Sequence, residues 1–342
     1  MTLDRTSRDI SVRHQLQPIQ KWLNDESVSE IWINKPGQAI IESNSKRTTF
    51  EVPELTYESL DSMATAIARF AGDTIGETKP ILSALLPDGE RIQIVMPPAC
   101  TVETISMTIR RPSSKRFSLK DYSIAGFFKK IIPVMPGLSK LDKNLKSLLD
   151  KKEYEEFLIN AVTAGKNIVV AGGTGSGKTT FMKGLIDVIP EYERLITIED
   201  VPELFLPNHD NHVHLFYPSE ASEEKNDIVT SATLLKSCLR MKPDRILPAE
   251  LRGGETFDFV NVCSSGHGGS ITSCHAGSAS ETFERLALMI LQNRQGRTLP
   301  YDVIKSLLYS VVDIVVHVHN DPSGIDGRHI TEIWFDPEKK KR

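Results

Sequence analysis

The chain has 342 residues, 39% hydrophobic and 25% charged, with a net charge of −4. That length suggests about two domains, the composition excludes a disordered chain, and the acidic balance argues against a protein held to nucleic acid by a basic face. Four cysteines, Cys100, Cys238, Cys263 and Cys274, show no C-x-x-C spacing, which excludes a disulfide scaffold or zinc knuckle and suits a reduced, cytoplasmic protein.

The opening run MTLDRTSRDISVRHQLQPIQ is polar and lacks the apolar core of a signal peptide. No stretch approaches the ~20 apolar residues of a membrane-spanning helix. Residues 1–111 read as a mixed α/β domain. A helix is expected over 15–23, and short strands over 29–34, 39–42 and 48–51, with a Lys35-Pro36-Gly37 turn. Helical spacing of Leu60, Met63, Ala64, Ile67 and Ala68 predicts a helix over 57–70. Leu86-Pro87-Asp88-Gly89 is a turn, followed by alternating Ile92, Ile94 and Met96 and a strand over 104–110.

Residues 112–152 hold ten Lys/Arg and three Asp, interrupted by Pro133, Pro136 and Gly137. That composition suits a connector. Its apolar residues, Ile124, Phe127, Phe128, Ile131 and Ile132, suggest docking. Two readings stand, an ordered interdomain linker and a basic membrane-facing segment.

From 153 to 342, strands and helices alternate, the sign of a parallel sheet covered on both faces. Strands are expected over 167–171, 194–198, 212–216, 245–249, 270–274 and 311–317. Helices between them include 179–188, 230–240 and 279–291. A hairpin-like piece over 328–335 precedes a charged tail.

The run NIVVAGGTGSGKTT places Gly172-Gly173-Thr174-Gly175-Ser176-Gly177-Lys178-Thr179 between an apolar strand and a helix. This is a phosphate loop in its proper context. Glycines let successive backbone N–H groups turn toward phosphate oxygens, and the helix N-terminus adds positive partial charge. Gly173, Thr174, Gly175, Ser176, Gly177, Lys178, Thr179 and Thr180 are therefore candidate ATP-binding residues. Lys178 is expected at the β- and γ-phosphates, and the Thr179 hydroxyl at Mg²⁺.

Hydrolysis needs a further carboxylate at a strand end near that loop. The run RILPAE ends in Glu250, the candidate for polarising the attacking water. The run LITIED ends in Glu199 and Asp200, with Glu203 close behind, and Glu199 is expected to support Mg²⁺ or that water indirectly. Pro248 is awkward in a central strand. His275 in SCHAGS is placed to sense the γ-phosphate or Glu250. His209, His212 and His214 make a poor metal set, and His317 and His319 read as the polar face of a strand.

Together the phosphate loop, the TIED acids, the AELR strand end and the CHAGS run resemble the hexameric secretion ATPases, and most of all the type IV secretion traffic ATPases. The resemblance covers nearly the whole chain and is densest over 166–285. It implies a RecA-like P-loop core with a separate, smaller α/β N-terminal domain folded over the nucleotide. It also matches Arg91, in LPDGER, and Arg110, in SMTIRR, to family arginines that contact phosphate; alone, both would pass as surface residues. The implied protein is an Mg²⁺-dependent ATPase and homo-hexamer. It would work with other secretion-apparatus ATPases and inner-membrane components, peripherally at the membrane, without sequence-specific nucleic-acid binding. A small or apolar residue usually stands where Pro248 does. The absence of a tetracysteine insert favours the type IV branch, and the long connector resembles that of family members with a swapped domain arrangement. Competing readings are a nucleic-acid-stimulated motor and a non-hydrolysing assembly switch.

Overall fold

The computed structural model describes residues 2–112, 116–131, 137–221 and 227–339. Ile132, Pro133 and Pro136 of the connector and the last three residues of the charged tail lie outside the described residues.

The N-terminal domain begins with α1 (Thr2–Gln15), a 3-10 turn and α2 (Gln20–Leu23). The helix expected over 15–23 is thus displaced. Pro18 sits in the 3-10 turn that separates α1 from α2. The polar start carries no helical stripe: among the described side chains of α1, Val12 is buried while Ile10 is exposed. Strands β1 (Val28–Ile33), β2 (Gln38–Ser43) and β3 (Lys46–Glu51) precede α3 (Tyr57–Phe70). After it come β4 (Ile81–Leu85), β5 (Arg91–Val95) and β6 (Ser106–Arg110). The six strands form an antiparallel sheet in the order β3-β2-β1-β6-β5-β4. Strand β4 was not expected; its half-exposed pattern carries little apolar signal. Thr56 caps α3 by accepting from the Ser59 N–H at 3.2 Å. The predicted stripe Leu60, Met63, Ala64, Ile67 and Ala68 is buried against Ile31, Ile94 and Ile109.

The connector is two different things. Its first part, α4 (Leu119–Ile124), starts in a capping box of Ser118 and Asp121 and buries no side chain. Its second part, α5 (Lys140–Asp150), packs Leu145 and Leu148 into one core with Phe157 and Leu158 of α6 (Tyr154–Thr163). The C-terminal domain therefore begins at α5, before the boundary expected at residue 153. The lysines of α5 sit on its outer face, so composition hid its apolar one.

The C-terminal domain continues with β7 (Ile168–Gly172), α7 (Lys178–Ile186), β8 (Leu195–Glu199), β9 (His212–Phe216) and α8 (Ser231–Cys238). It ends with β10 (Arg245–Pro248), α9 (Glu255–Ser264), β11 (Ile271–Cys274), α10 (Ala279–Ile290), α11 (Tyr301–Val311), β12 (Ile314–Asn320) and β13 (Arg328–Phe335). Strands pair in two ladders, β10-β8-β9 and β11-β7-β12-β13, all parallel except β13. Alternate residues of β7 feed opposite faces. Val169 and Ala171 join one core, and Ile168 and Val170 the other. This is the α/β, RecA-like arrangement expected, with strand ends within a few residues of prediction.

Pro248 fits because of where the ladders part. Arg245 donates its N–H to the Arg194 carbonyl just before β8 at 3.1 Å, and Ala249 to the Ile198 carbonyl of β8 at 2.9 Å. By alternation the Pro248 nitrogen faces the seam with β11, where no ladder needs its missing N–H.

The two domains meet at the N-terminal end of β8 and again at the C-terminal end of the outer strand β9. Arg47 of β3 pairs with Asp244 at 2.5 Å, and Asp244 also accepts the Arg194 N–H at 2.6 Å. The buried Arg194 guanidinium donates to Asn34 at 2.9 Å. Arg47, Arg194 and Lys242 surround the buried Trp32 ring, 5.2, 5.4 and 5.6 Å from its centroid. Val95, Ala99 and Cys100 bury into the core that contains Ile196 and Leu215, and Phe216 donates to the Ala99 carbonyl at 2.9 Å.

Truncating Leu145 to Ala should cost the C-terminal domain about 2–5 kcal/mol, as for any filled core position. Urea unfolding would check this; a cost near zero would return α5 to the linker.

Candidate functional site

The loop after β7 is built as its glycines require. A Cβ on Gly172 would lie 2.3 Å from the Val318 carbonyl oxygen, a contact no side chain tolerates. Gly177 has φ +95° and caps α7, so Lys178 is the first helical residue. The side chain of Lys178 folds back over the loop. Its Nζ donates to the Gly172 and Gly173 carbonyls at 3.0 and 2.9 Å and lies 3.4 Å from His275 Nδ1. Burial lowers its pKa, against the pull of Glu250. The Ser176 hydroxyl is buried without a hydrogen-bond partner. Gly173, Thr174, Gly175 and Thr180 are exposed and Thr179 is half-buried.

Glu250 follows β10 and His275 follows β11, both at the C-terminal end of the sheet beside the loop. Glu250 Oε1 lies 3.0 Å from His275 Nε2, and Oε2 accepts from Arg252 Nε at 2.9 Å. Arg252 also pairs with Asp200, which accepts from Ser219 Oγ at 3.0 Å. The structure thus joins Lys178, His275, Glu250, Arg252 and Asp200 in one polar chain.

Glu199 behaves differently. It is fully buried. Oε1 accepts from Thr197 Oγ1 at 2.5 Å and lies 3.2 Å from His214 Nδ1, and Oε2 accepts the Glu203 and Leu204 N–H groups at 2.8 Å each. Burial opposes its charge, but these bonds together hold its pKa below the ordinary carboxylate value. The carboxylate expected near Mg²⁺ here anchors the 199–204 turn that presents Asp200.

Arg91 and Arg110 are not brought to the loop of their own chain. They stand opposite each other on β5 and β6, exposed. They line a cleft of about 1110 Å³ with Leu239, Lys242, Pro243 and His267. Those residues precede β10 and β11, at the end of the sheet away from the phosphate loop. Within one chain, Arg91 and Arg110 thus lie at the opposite end of the sheet from the phosphate loop, beside the junction at Trp32 and Arg194. Arg110 Nε lies 3.7 Å from the buried Glu30.

Two site residues were missed. Arg252, two positions beyond Glu250, could have been found as the cation beside a strand-end acid. Arg328 of β13 donates Nε to the Gly175 carbonyl at 3.3 Å, 153 positions along the chain, and no local pattern reports that. His317, expected on a polar face, is buried with Nδ1 near Thr331, whereas His319 is exposed. Among the described residues no group of three or more His, Cys, Asp or Glu side chains could hold a metal ion.

The oxygen chemistry fits an Mg-triphosphate. Mg²⁺ keeps several waters and takes few protein ligands, so the Thr179 hydroxyl and phosphate oxygens suffice. The orphaned Ser176 hydroxyl marks the cradle as a place for a polar guest.

Replacing Glu199 by Gln should cost about 1–3 kcal/mol at neutral pH, because two backbone donors lose a charged acceptor. The depressed pKa means this contribution is complete above 4.5 and is lost as pH falls through the lower folded value. Urea unfolding at several pH values should show the gap to the parent closing below pH 4.5.

Residues 138–319 match the model of the "Type II/IV secretion system protein" family. The chain is 59% identical over 334 residues to the type IV secretion system protein VirB11 of Brucella abortus, covering 98% of this chain and 92% of that protein. It is 43% identical to PtlH of Bordetella pertussis, covering 96% of each. The crystal structure of the VirB11 ATPase from the Brucella suis type IV secretion system, in complex with sulphate, superposes with a TM-score of 0.93 at 56% identity, over 98% of both chains. With the phosphate loop, strand-end acid and histidine assembled on this fold, the chain belongs to the type II/IV secretion system protein family.

Proposed function

We propose that the chain is the Mg²⁺-dependent, ATP-hydrolysing motor of a type IV secretion system, energising pilus assembly and substrate transfer. The observation that carries this is the convergence of Lys178, His275 and Glu250 at one strand end, with Nζ and both ring nitrogens within 3.4 Å of their partners. In this reading Lys178 exchanges the Gly172 and Gly173 carbonyls for β- and γ-phosphate oxygens. Thr179 is the protein ligand of Mg²⁺, which when bound neutralises charge on those oxygens. Glu250 leaves Arg252, orients a water and takes its proton as the water oxygen bonds to the γ-phosphorus. The bond to the bridging oxygen breaks, and ADP carries that electron pair away. His275 spans Lys178 and Glu250, so it feels whether the γ-phosphate is present. Glu199 and Asp200 act through Arg252 as positioning residues.

Arg91 and Arg110 complete the site of a neighbouring subunit. Like charges directly opposite on adjacent strands are destabilising, and a phosphate shared between the guanidinium groups offsets that. Such a site requires a closed ring, and six subunits fit the family resemblance. The ring would lie peripherally at the inner-membrane face with other ATPases and membrane components of the apparatus. The exposed Phe117, Leu119, Ile124, Phe127 and Ile131 beside Lys120, Lys129 and Lys130 suit that surface.

Lys178→Ala and Glu250→Gln should each lower multiple-turnover phosphate release by about 10²-fold or more. A wild-type rate in Glu250→Gln would remove it as the base. Mixing Lys178→Ala with Arg110→Ala subunits should restore part of the activity, because some shared sites regain both groups. No restoration would place both residues in one chain's site.

A further inference from the structure

A row of charged side chains crosses the face of the N-terminal sheet that meets the C-terminal domain. The ladders set Arg47 of β3 opposite Glu42, Glu42 opposite Glu30, Glu30 opposite Arg110, and Arg110 opposite Arg91. Residues directly opposite share a face, so one line of charge runs from Asp244 at the junction to the open cleft. Glu30, in the middle, is its odd member. It is 2% exposed, yet Oε1 lies 3.7 Å from both Arg110 Nε and Lys242 Nζ, and Oε2 has no hydrogen-bond partner. We propose that Glu30 is the positioning residue of Arg110: it draws the guanidinium back from the cleft until a phosphate on a neighbouring subunit outcompetes it, and Lys242 balances it from the other domain. This rests on reading Arg110 as a contact to that neighbour's phosphate.

The two adjacent acids of the row show the difference. Glu42 accepts from Ser29 Oγ at 3.1 Å, from Arg47 Nε at 3.3 Å and from Lys242. Burial opposes its charge, but these bonds hold its pKa below the ordinary carboxylate value. Glu30 has no such bonds. Burial pushes its pKa up to about 7; Lys242, Arg110 and Arg194 pull the other way, and Glu42 adds to the rise. Arg110 is equally unsettled. Its side chain is 70% exposed, its ion pair with Glu30 is beyond hydrogen-bond distance, and Arg91 repels it from the opposite strand.

Lys242 is the independent sign. Its φ is +51°, a region uncommon for a residue of this kind. That strained turn carries Nζ across the domain boundary to Glu42 and to within 3.7 Å of Glu30. Arg245, just beyond it, opens β10, the strand that leads to Glu250.

When Arg110 turns to a phosphate, Glu30 loses one of its two nearest cations, while Lys242 stays shared with Glu42. The carboxylate then takes a proton, because burial favours the neutral form. Proton and phosphate binding are thereby linked, each favouring the other. Arg110 lowers the pKa of Glu30 and its departure raises it above about 7. Phosphate binding is therefore strongest below that value and weakens as pH rises through it.

Binding of a non-hydrolysable Mg-triphosphate nucleotide to the full chain is measured by calorimetry between about pH 6.5 and 8.5. Two buffers of different ionisation enthalpy count the protons taken up. The parent should take up protons on binding and weaken about fivefold across that range. Glu30→Gln should take up fewer, show a flatter profile and bind more tightly than the parent at the alkaline end. Arg8, Arg240 and His267 line the same cleft and are common to both proteins, so the difference isolates Glu30. In an Arg110→Ala background, Glu30→Gln should change nothing, as expected of a residue that acts through Arg110. The amide leaves Lys242 paired with Glu42, which keeps the junction closed. Should the domain unfold regardless, Glu30→Met, with no oxygen to satisfy, serves the same comparison. The same pH profile in parent and Glu30→Gln, or an equal effect of Glu30→Gln with and without Arg110, overturns the positioning role while the shared site stands. Unchanged nucleotide affinity in Arg110→Ala overturns the shared-site reading, and this inference with it.

Discussion

The buried cluster of Trp32, Arg47, Arg194, Asp244 and Asn34 decides what one chain can do alone. A parallel sheet delivers every catalytic group to its C-terminal end, because loops after the strands converge there. This cluster fastens the N-terminal domain to the opposite end. It is a costly joint to open: Arg194 is wholly buried, and separating the domains would strip its guanidinium of the Asn34 and Thr108 acceptors. The arginines of β5 and β6 are thus held away from the phosphate loop that the same chain carries. This separation is what the proposed intersubunit role of Arg91 and Arg110 rests on.

At the catalytic end, the acids divide their work by burial. Glu199, sealed among four donors, is committed to shaping its turn. Glu250 keeps two exchangeable partners, His275 and Arg252, and a part-exposed carboxylate. Only the second arrangement leaves an acceptor unsatisfied: Glu250 Oε1 is buried without a hydrogen-bond partner. Arg252 joins the two acids by pairing with Asp200 on the Glu199 turn.

The elements legible from sequence were those whose pattern is local. The helix α3 stripe, the apolar β7 run and the glycine loop declare themselves within a dozen residues, and the strand-end acid and histidine follow once a parallel sheet is assumed. What stayed hidden depends on distance or on a partner face. Among the described side chains of α1, Val12 is buried and Ile10 exposed, so no apolar stripe registers. The lysines of α5 masked Leu145 and Leu148. Arg328 reaches the loop from the far end of the domain. The position of Arg91 and Arg110 follows from how two domains dock, and motif matching says nothing of docking. Glu199 looked like Glu250 in one dimension, and only its hydrogen-bond partners separate them.

The proline at residue 248 has a mechanical corollary. By removing a donor at the seam between the two half-sheets, it leaves Glu250 riding on one rigid slab while Lys178 and His275 ride on the other. What bridges them nearby is the Leu251 N–H to the Ser273 carbonyl and the Ser273 hydroxyl to the Ala249 carbonyl, both at 2.8 Å. The fault line of the domain thus runs between Glu250 and the Lys178–His275 pair, so a slight shear between slabs would change the distances among these groups without unzipping either ladder.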